Sequence, residues 1–382
     1  MFKKNNLPRL AISIYFFFSG LVFSSWVSRI PHIKDEFGFN EAELGGILFM
    51  LPLGSIAALP ISGWLVQKFS SRVIGLLSIL LYTVLLYGIA AADQVFQLSV
   101  TLFLFGVVGN FCNIALNAQG LSIQERINKP ILSSLHAMWS LGAFVAAAIS
   151  GWSMKMGYST DLHFLLVAVL ASFVALVLVY LFVDDVVGDD GREQKIFVLP
   201  NRSLLLLGII CFCVAMTEGA MADWSSLYYR QVANEMHNVS TAGYTAFAFC
   251  MATGRFVGDF FIHRFGHSRV LKFNGGLILT GIVLALTVSV PAVVILGFAL
   301  VGFGVSSGIP IVYMLSAKNK TMAPAAALAA VSSLGFTGFL IGPPIIGFIA
   351  QLTGLRYALT IVALMGLIVW VLSMRVKSGK LS

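Results

Sequence analysis

Residues 211–229 read CFCVAMTEGAMADWSSLYY. The stretch is apolar at most positions, yet it carries two carboxylates, Glu218 and Asp223, with Trp224 directly after the second. In a water-soluble protein it would be a core helix with two misplaced acids. In a membrane it is a span that keeps two costly groups, and such groups are normally retained for substrate, ion or proton handling. Which environment surrounds this stretch decides the fold.

The rest of the chain points to the membrane. Its 382 residues are 58% hydrophobic and 10% charged, with a mean hydropathy of +0.93. A soluble domain carries about a quarter charged residues. A transmembrane helix needs ~20 apolar residues. Twelve such segments can be placed, at 9–30, 43–67, 73–92, 95–122, 131–154, 161–183, 202–229, 240–262, 270–289, 291–316, 325–352 and 355–375. The expected fold class is an all-α polytopic membrane protein, 12 transmembrane helices in two six-helix bundles. The run after Met1–Arg9 is bulky and aromatic with no small-residue cleavage site behind it, so it reads as an uncleaved first span rather than a signal peptide.

Charge gives the orientation. With a cytoplasmic N-terminus, eighteen Lys and Arg fall on the inner side and five, Arg29, Lys34, Lys155, Arg230 and Arg356, on the outer side; Arg255 lies inside a span. This is a positive-inside distribution. It implies a multi-pass membrane protein with both termini cytoplasmic. It also accounts for the net charge of +8 without a nucleic-acid partner. The expected partners are the lipid bilayer and a small-molecule solute, and the chain is expected to act as a monomer. The four cysteines all sit in apolar runs and read as inert thiols rather than a disulfide or a metal site.

One polar stretch, Asp184–Asn201, interrupts the hydrophobic pattern. It divides the chain into an N-terminal six-helix bundle (1–183), a cytoplasmic linker (184–201) and a C-terminal six-helix bundle (202–382). The halves echo each other. Trp26-Val27-Ser28 and Trp224-Ser225-Ser226 stand at matching places, and Gly45 and Gly243 follow each tryptophan at the same interval. Gln67-Lys68-Phe69-Ser70 is answered by His263-Arg264-Phe265-Gly266, and Ser140-Leu141-Gly142 by Ser333-Leu334-Gly335. Parallel repeats of this kind place a solute site near the midplane between the halves.

These features together resemble the major facilitator superfamily over the whole chain. Its loop signature, Gly-x-Leu-x-Asp-Arg-x-Gly-Arg-Arg, is matched in degenerate form by Gly63-Trp64-Leu65-Val66-Gln67-Lys68-Phe69-Ser70-Ser71-Arg72. The signature aspartate, which in that superfamily helps lock the inner gate, is Gln67 here. Asp259, within Gly254-Arg255-Phe256-Val257-Gly258-Asp259, is placed to take part of its role. The resemblance thus implies a gating or structural set of Gly63, Lys68, Arg72, Arg255, Asp259, Arg264 and Gly266. Three further patterns, 113–120 (NIALNAQG), 133–140 (SSLHAMWS) and 218–225 (EGAMADWS), look like the YbjJ-like bacterial transporters, distantly akin to proton-coupled fucose permeases. The resemblance supplies no solute.

The residues themselves suggest a division of labour. Glu218 lies near the middle of its span, where burial disfavours the charged form of a carboxylate. It is the first choice for carrying a proton; Asp223 and His136 are further proton-coupling candidates. Asp223 is five residues on, about 140° around a helix, so the two acids share a face only if Gly219 breaks the helix. Asn110, Asn113 and Asn117 fall on one helical stripe, which would be costly against lipid and suits a wet cavity. With Trp139 and Trp224 they form the expected solute-binding set, since amides and indoles suit a polyhydroxylated solute. Packing is the competing reading for each: interhelical glue for the amides, an interface anchor for a tryptophan at a span end. Counted from the span ends, Arg255 and Glu218 differ in depth by roughly 10 Å. Arg255 is therefore expected to pair with Asp259, one turn on, and not with Glu218.

The expected function is secondary active transport of a small polar organic solute, sugar-like favoured, by alternating access and proton symport. No nucleotide-binding signature is present and no cofactor is called for beyond the proton gradient; a carboxylate and amides also suit sodium. The alternative is proton-antiport efflux of drugs or metabolites, which thirty-one phenylalanines keep open. A non-transporting receptor or scaffold ranks third, and nothing argues for an enzyme.

Overall fold

A computed structural model describes residues 7–129, 131–184, 202–233, 241–318, 322 and 324–376. Of the expected linker, only Asp184 lies within them. In hydrocarbon a spanning segment must satisfy its own backbone hydrogen bonds, and a helix does this within one segment. The described chain is helical accordingly: α1 (Leu7–Phe37), α2 (Glu41–Phe69), α3 (Ser71–Ala90), α4 (Val95–Ile127), α5 (Leu132–Lys155), α6 (Thr160–Leu178), α7 (Arg202–Ala233), α8 (Ala242–Phe265), α9 (His267–Thr287), α10 (Pro291–Ser306), α11 (Gly308–Ala317), α12 (Pro324–Thr353), α13 (Leu355–Ala358) and α14 (Thr360–Ser373). They make 12 helical segments long and apolar enough to span, two of which, Pro291–Ala317 and Leu355–Ser373, are each built from two helices.

The helices form two compact units, 1–29 with 50–192 and 30–49 with 193–382. In the first, α3 packs on α4 and α6, and α1 lies against α5 at very short range. A Cβ on Gly20 would strike the Trp139 carbonyl, and one on Gly142 would strike the Phe17 carbonyl. Small residues at such crossings let helix backbones touch where lipid provides no hydrophobic drive for association. Gln119, fully buried, is the polar hub of this unit. Its Nε2 donates to Ser71 Oγ (2.7 Å) and to the Val183 carbonyl (2.8 Å), and its Oε1 accepts from the Val183 amide (3.2 Å).

In the second unit α7 lies along α12, α8 along α10, and α9 along α10 and α14. The α7–α12 contact is again closed by a glycine, since a Cβ on Gly338 would come within 2.6 Å of the Phe212 carbonyl oxygen. The span formed by α10 and α11 breaks at Ser307, three residues before Pro310, whose ring nitrogen has no hydrogen to donate back to Ser306. Asn274 on α9 braces the break, donating from Nδ2 to Ser307 Oγ (2.9 Å).

The sequence repeat is visible in the backbone. Ser70, before α3, has φ 70° and ψ 151°; Gly266, before α9, has φ 82° and ψ 159°. The two turns share one conformation, in a region that glycine enters freely and other residues enter at a cost of ~1–3 kcal/mol. The first unit holds a serine there. Its Oγ recovers part of the cost by accepting from the Val73 amide at 3.4 Å. Replacing a serine cap by glycine costs only a few tenths of a kcal/mol. Ser70→Gly is therefore expected to stabilise the protein by about 1 kcal/mol, and Gly266→Ser to destabilise it by a similar amount. Thermal unfolding in detergent reads both; an unmoved midpoint for Ser70→Gly would show that the turn is unstrained.

Candidate functional site

Helix α7 runs through Gly219 without a break. Glu218 and Asp223 therefore stay on different faces, as the 140° between them requires. A Cβ on Gly219 would face Phe339 of α12, which turns the neighbouring Glu218 away from that helix. Glu218 instead meets α8. One guanidinium nitrogen of Arg255, Nη2, lies 3.2 Å from Glu218 Oε1 and 3.3 Å from Oε2. The two side chains are 12% and 13% exposed, so this is a nearly enclosed ion pair. Tyr313, on α11, lies within electrostatic range of Glu218 and of Cys211.

This pairing overturns the expected separation of Arg255 from Glu218. The depth count failed at the helix ends: α7 continues four residues past 229, to Ala233, and α8 begins two residues later than expected, at Ala242. Glu218 is thus ~22 Å from the end of α7 and Arg255 ~20 Å from the start of α8, at 1.5 Å per residue. Both lie at mid-helix. Gly254 and Gly258, one turn apart, face Ser306 and Ser307 at the helix break, which leaves the next position round α8, Arg255, to face α7. Asp259 is exposed one turn further on.

Asp223 is half-buried and has no hydrogen-bond or ion-pair partner among the described residues. Trp224 is fully buried.

In the other unit the amide stripe divides. Asn110 is buried, and its Oδ1 accepts from Ser62 Oγ of α2 at 2.6 Å, which makes it a tie between helices. Asn113 is exposed, and Asn117 Nδ2 donates to its carbonyl oxygen (2.9 Å) and its Oδ1 (3.2 Å). Asn117 is half-buried; an amide pair open on one side in the middle of a spanning helix fits a wet surface, since lipid would leave its remaining polar atoms unsatisfied. His136 and Trp139 pack on α1: the imidazole meets Phe16 edge-on at 5.4 Å and the indole meets Phe23 at 5.6 Å.

Of the signature residues, Gly63 and Lys68 are exposed, with the Lys68 ammonium 4.6 Å from the centre of the Trp64 ring. Arg72 lies 6.0 Å from the Tyr180 ring centre. Arg264 is exposed and Gly266 forms the strained turn already described. Three polar features had no expectation attached: Tyr313 within electrostatic range of Glu218, Asn274 at the helix break, and a cluster at the start of α2. In that cluster Arg230 holds Asp35 through two nitrogens (2.6 and 2.9 Å), Lys34 pairs with Glu41 (2.8 Å), and Gln351 Oε1 accepts from the Glu41 amide (3.2 Å). Asn274 was legible as an amide inside an apolar run. Apart from the Lys34–Glu41 pair, seven residues apart, the others join residues far apart in sequence and left no local signal.

The family model described as Major Facilitator Superfamily matches residues 12–323 and 238–380. The chain belongs to the major facilitator superfamily. It is 34% identical to the membrane protein MosC of Rhizobium meliloti, over 94% of this chain and 88% of that one. It is 25% identical to a cis,cis-muconate transport protein of Acinetobacter baylyi, over 84% and 81%. Among solved structures it resembles a mutant of the nucleoside transporter NupG, with a TM-score of 0.76 at 13% identity, covering 97% of this chain and 98% of that one. At that identity the likeness is one of fold. The chain is thus a multi-pass transporter of this superfamily, which handles small-molecule solutes within a bilayer.

The enclosed pair sets an energetic expectation. Removing one member of a buried ion pair strands the other charge and costs ~3–5 kcal/mol, whereas removing both costs far less. Arg255→Gln alone should lower the thermal midpoint in detergent markedly, and adding Glu218→Gln should restore most of it. Additive losses in the double variant would show that the two groups are not coupled.

Proposed function

We propose that this superfamily member is a secondary active transporter that moves a small polar organic solute across the inner membrane by alternating access with proton symport. The observation that carries this reading is the Glu218–Arg255 pair. It is a titratable acid at mid-helix, held by one counter-charge and shielded from water. A proton arriving on Glu218 ends the ion pair with Arg255, so protonation and local structure are linked. Asp223, without a described partner, is a second place for a proton, and His136 a third. Asn113 and Asn117 are the proposed solute contacts. The functional halves are taken as 1–183 and 202–382, joined by 184–201, with both termini cytoplasmic and one chain sufficing. The amide pair favours a solute rich in hydroxyl or other hydrogen-bonding groups, as sugars are. The nucleoside and muconate in the names of the two transporters compared above are small polar solutes as well.

In sealed vesicles, Glu218→Gln should abolish accumulation driven by an inward proton gradient while leaving solute exchange across the membrane intact. Undiminished accumulation would remove Glu218 from the coupling step. Drug entry accompanied by proton efflux, in the unaltered protein, would replace symport by antiport. Asn117→Ala should weaken solute affinity about tenfold, the effect of losing one or two hydrogen bonds to the solute; an unchanged affinity would assign the amide to packing.

A further inference from the structure

We infer that the first unit binds a small monovalent anion, of halide size, between α1, α5 and α6, with Arg29 as its counter-charge. This site is separate from the Glu218–Arg255 pair and does not depend on the transport reading above.

Arg29, on α1, is a charge without a counter-charge. It is 2% exposed. Its Nη2 donates to Ser153 Oγ of α5 (2.8 Å) and to the Tyr158 carbonyl (3.2 Å). Both acceptors are neutral. No carboxylate pairs with Arg29 among the described residues, and its Nε is buried with no acceptor among them. A guanidinium stays protonated in proteins, and an enclosed charge is strongly unfavourable unless it is paired.

The polar groups around it lack partners as well. Ser150 Oγ on α5, and Thr160 Oγ1 and both ring nitrogens of His163 on α6, are buried with no hydrogen-bond partner among the described residues. His163 is within electrostatic range of Arg29. Ser150 and Ser153 are three apart on α5, and Thr160 and His163 three apart on α6, so each pair shares a helix face. Tyr158, whose carbonyl accepts from Arg29, stands two residues before Thr160. Ser150 departs from the habit of hydroxyls on the spans, which bond back into their own helix as Ser153 does to the Ser150 carbonyl at 2.8 Å. The charged residues nearest in sequence, Lys155 and Asp161, are exposed, and Asp161 lies about 200° round α6 from His163.

One ligand answers all of these groups. A guanidinium Nε–H, two hydroxyls that rotate to donate and an imidazole N–H form a set of donors beside one fixed positive charge. The first turn of α6, a helix of 19 residues, adds the positive end of its dipole. Water would complete the hydrogen bonds and leave the charge unbalanced, whereas an anion does both. One charge is to be balanced, which selects a monovalent anion. The unpartnered atoms are all shut off from solvent, which selects a single-atom ion over a bulkier carboxylate or phosphate. Bound there, the ion ties α1 to α5 and α6.

The test uses the purified full chain in detergent at constant ionic strength, with sodium gluconate replaced stepwise by sodium chloride or sodium bromide. The thermal midpoint should rise saturably with either halide, by roughly 3 °C at ten times the half-saturating concentration. Ser150→Ala and Thr160→Val keep the charge and remove one donor each; both should fold and should raise the half-saturating chloride concentration about tenfold. Arg29→Gln should abolish the halide response, and the two hydroxyl variants decide the matter if it does not fold. A midpoint that is the same in chloride and gluconate overturns the inference and leaves water to complete the hydrogen bonds. A halide response with unchanged half-saturation in both hydroxyl variants, or one that survives in folded Arg29→Gln protein, places the anion elsewhere and overturns it too.

Discussion

The lack of water in the hydrocarbon core is the constraint from which the rest of this structure follows. Backbone groups there can bond only to one another, so the described chain is helical wherever it is apolar. Helices in lipid gain nothing from hiding apolar surface against each other, and their association rests on close packing. The packing here is set by glycines at carbonyl contacts, Gly20 on Trp139, Gly142 on Phe17 and Gly338 on Phe212. Hydroxyls on the spans mostly bond back into their own helix, as Ser25 does to Leu21 and Thr217 to Cys213. Polar side chains are thereby quietened, except at a few positions.

Those exceptions make up the proposed site. A membrane interior makes an isolated charge expensive and a paired one tolerable. Glu218 and Arg255 meet because glycines on both helices, Gly219 on α7 and Gly254 and Gly258 on α8, seat the neighbouring surfaces and leave the charged positions to face each other. Such a pair is a poor source of stability, and its proposed use is as a proton-operated switch. Asn113, exposed, and Asn117, half-buried, are the other polar surface on a span that lipid would not tolerate.

Much of the fold was legible because its causes are local. Span count follows from runs of apolar residues, and the repeat follows from matched residues such as Trp26 and Trp224. Even the strained turn before α3 was marked, since Ser70 stands where Gly266 stands in the second copy and where the superfamily signature has glycine. The candidate site was legible only in its parts. Glu218 and Arg255 could be singled out as charges within spans, but their meeting depended on how far α7 and α8 extend beyond their apolar cores. Hydropathy does not report where a helix ends once it leaves the apolar region, and here the error was about four residues. The amide stripe was correctly drawn on one helical face. It was then divided by a neighbour, Ser62, that periodicity within α4 has no means of indicating.

What the sequence determined by itself is therefore the class of the molecule: twelve apolar spans, basic residues gathered on alternate loops, and a small set of charges within the spans. Each of these is a property of one segment, or of segments compared in order. What only the tertiary structure decided is which of those charges are partners. Arg255 belongs to Glu218, Asn110 to Ser62 and Gln119 to the Ser71–Val183 hub. A contact between helices depends on tilt, rotation and end position together, and those are set by backbone approach at glycines rather than by any pattern along a single strand of sequence.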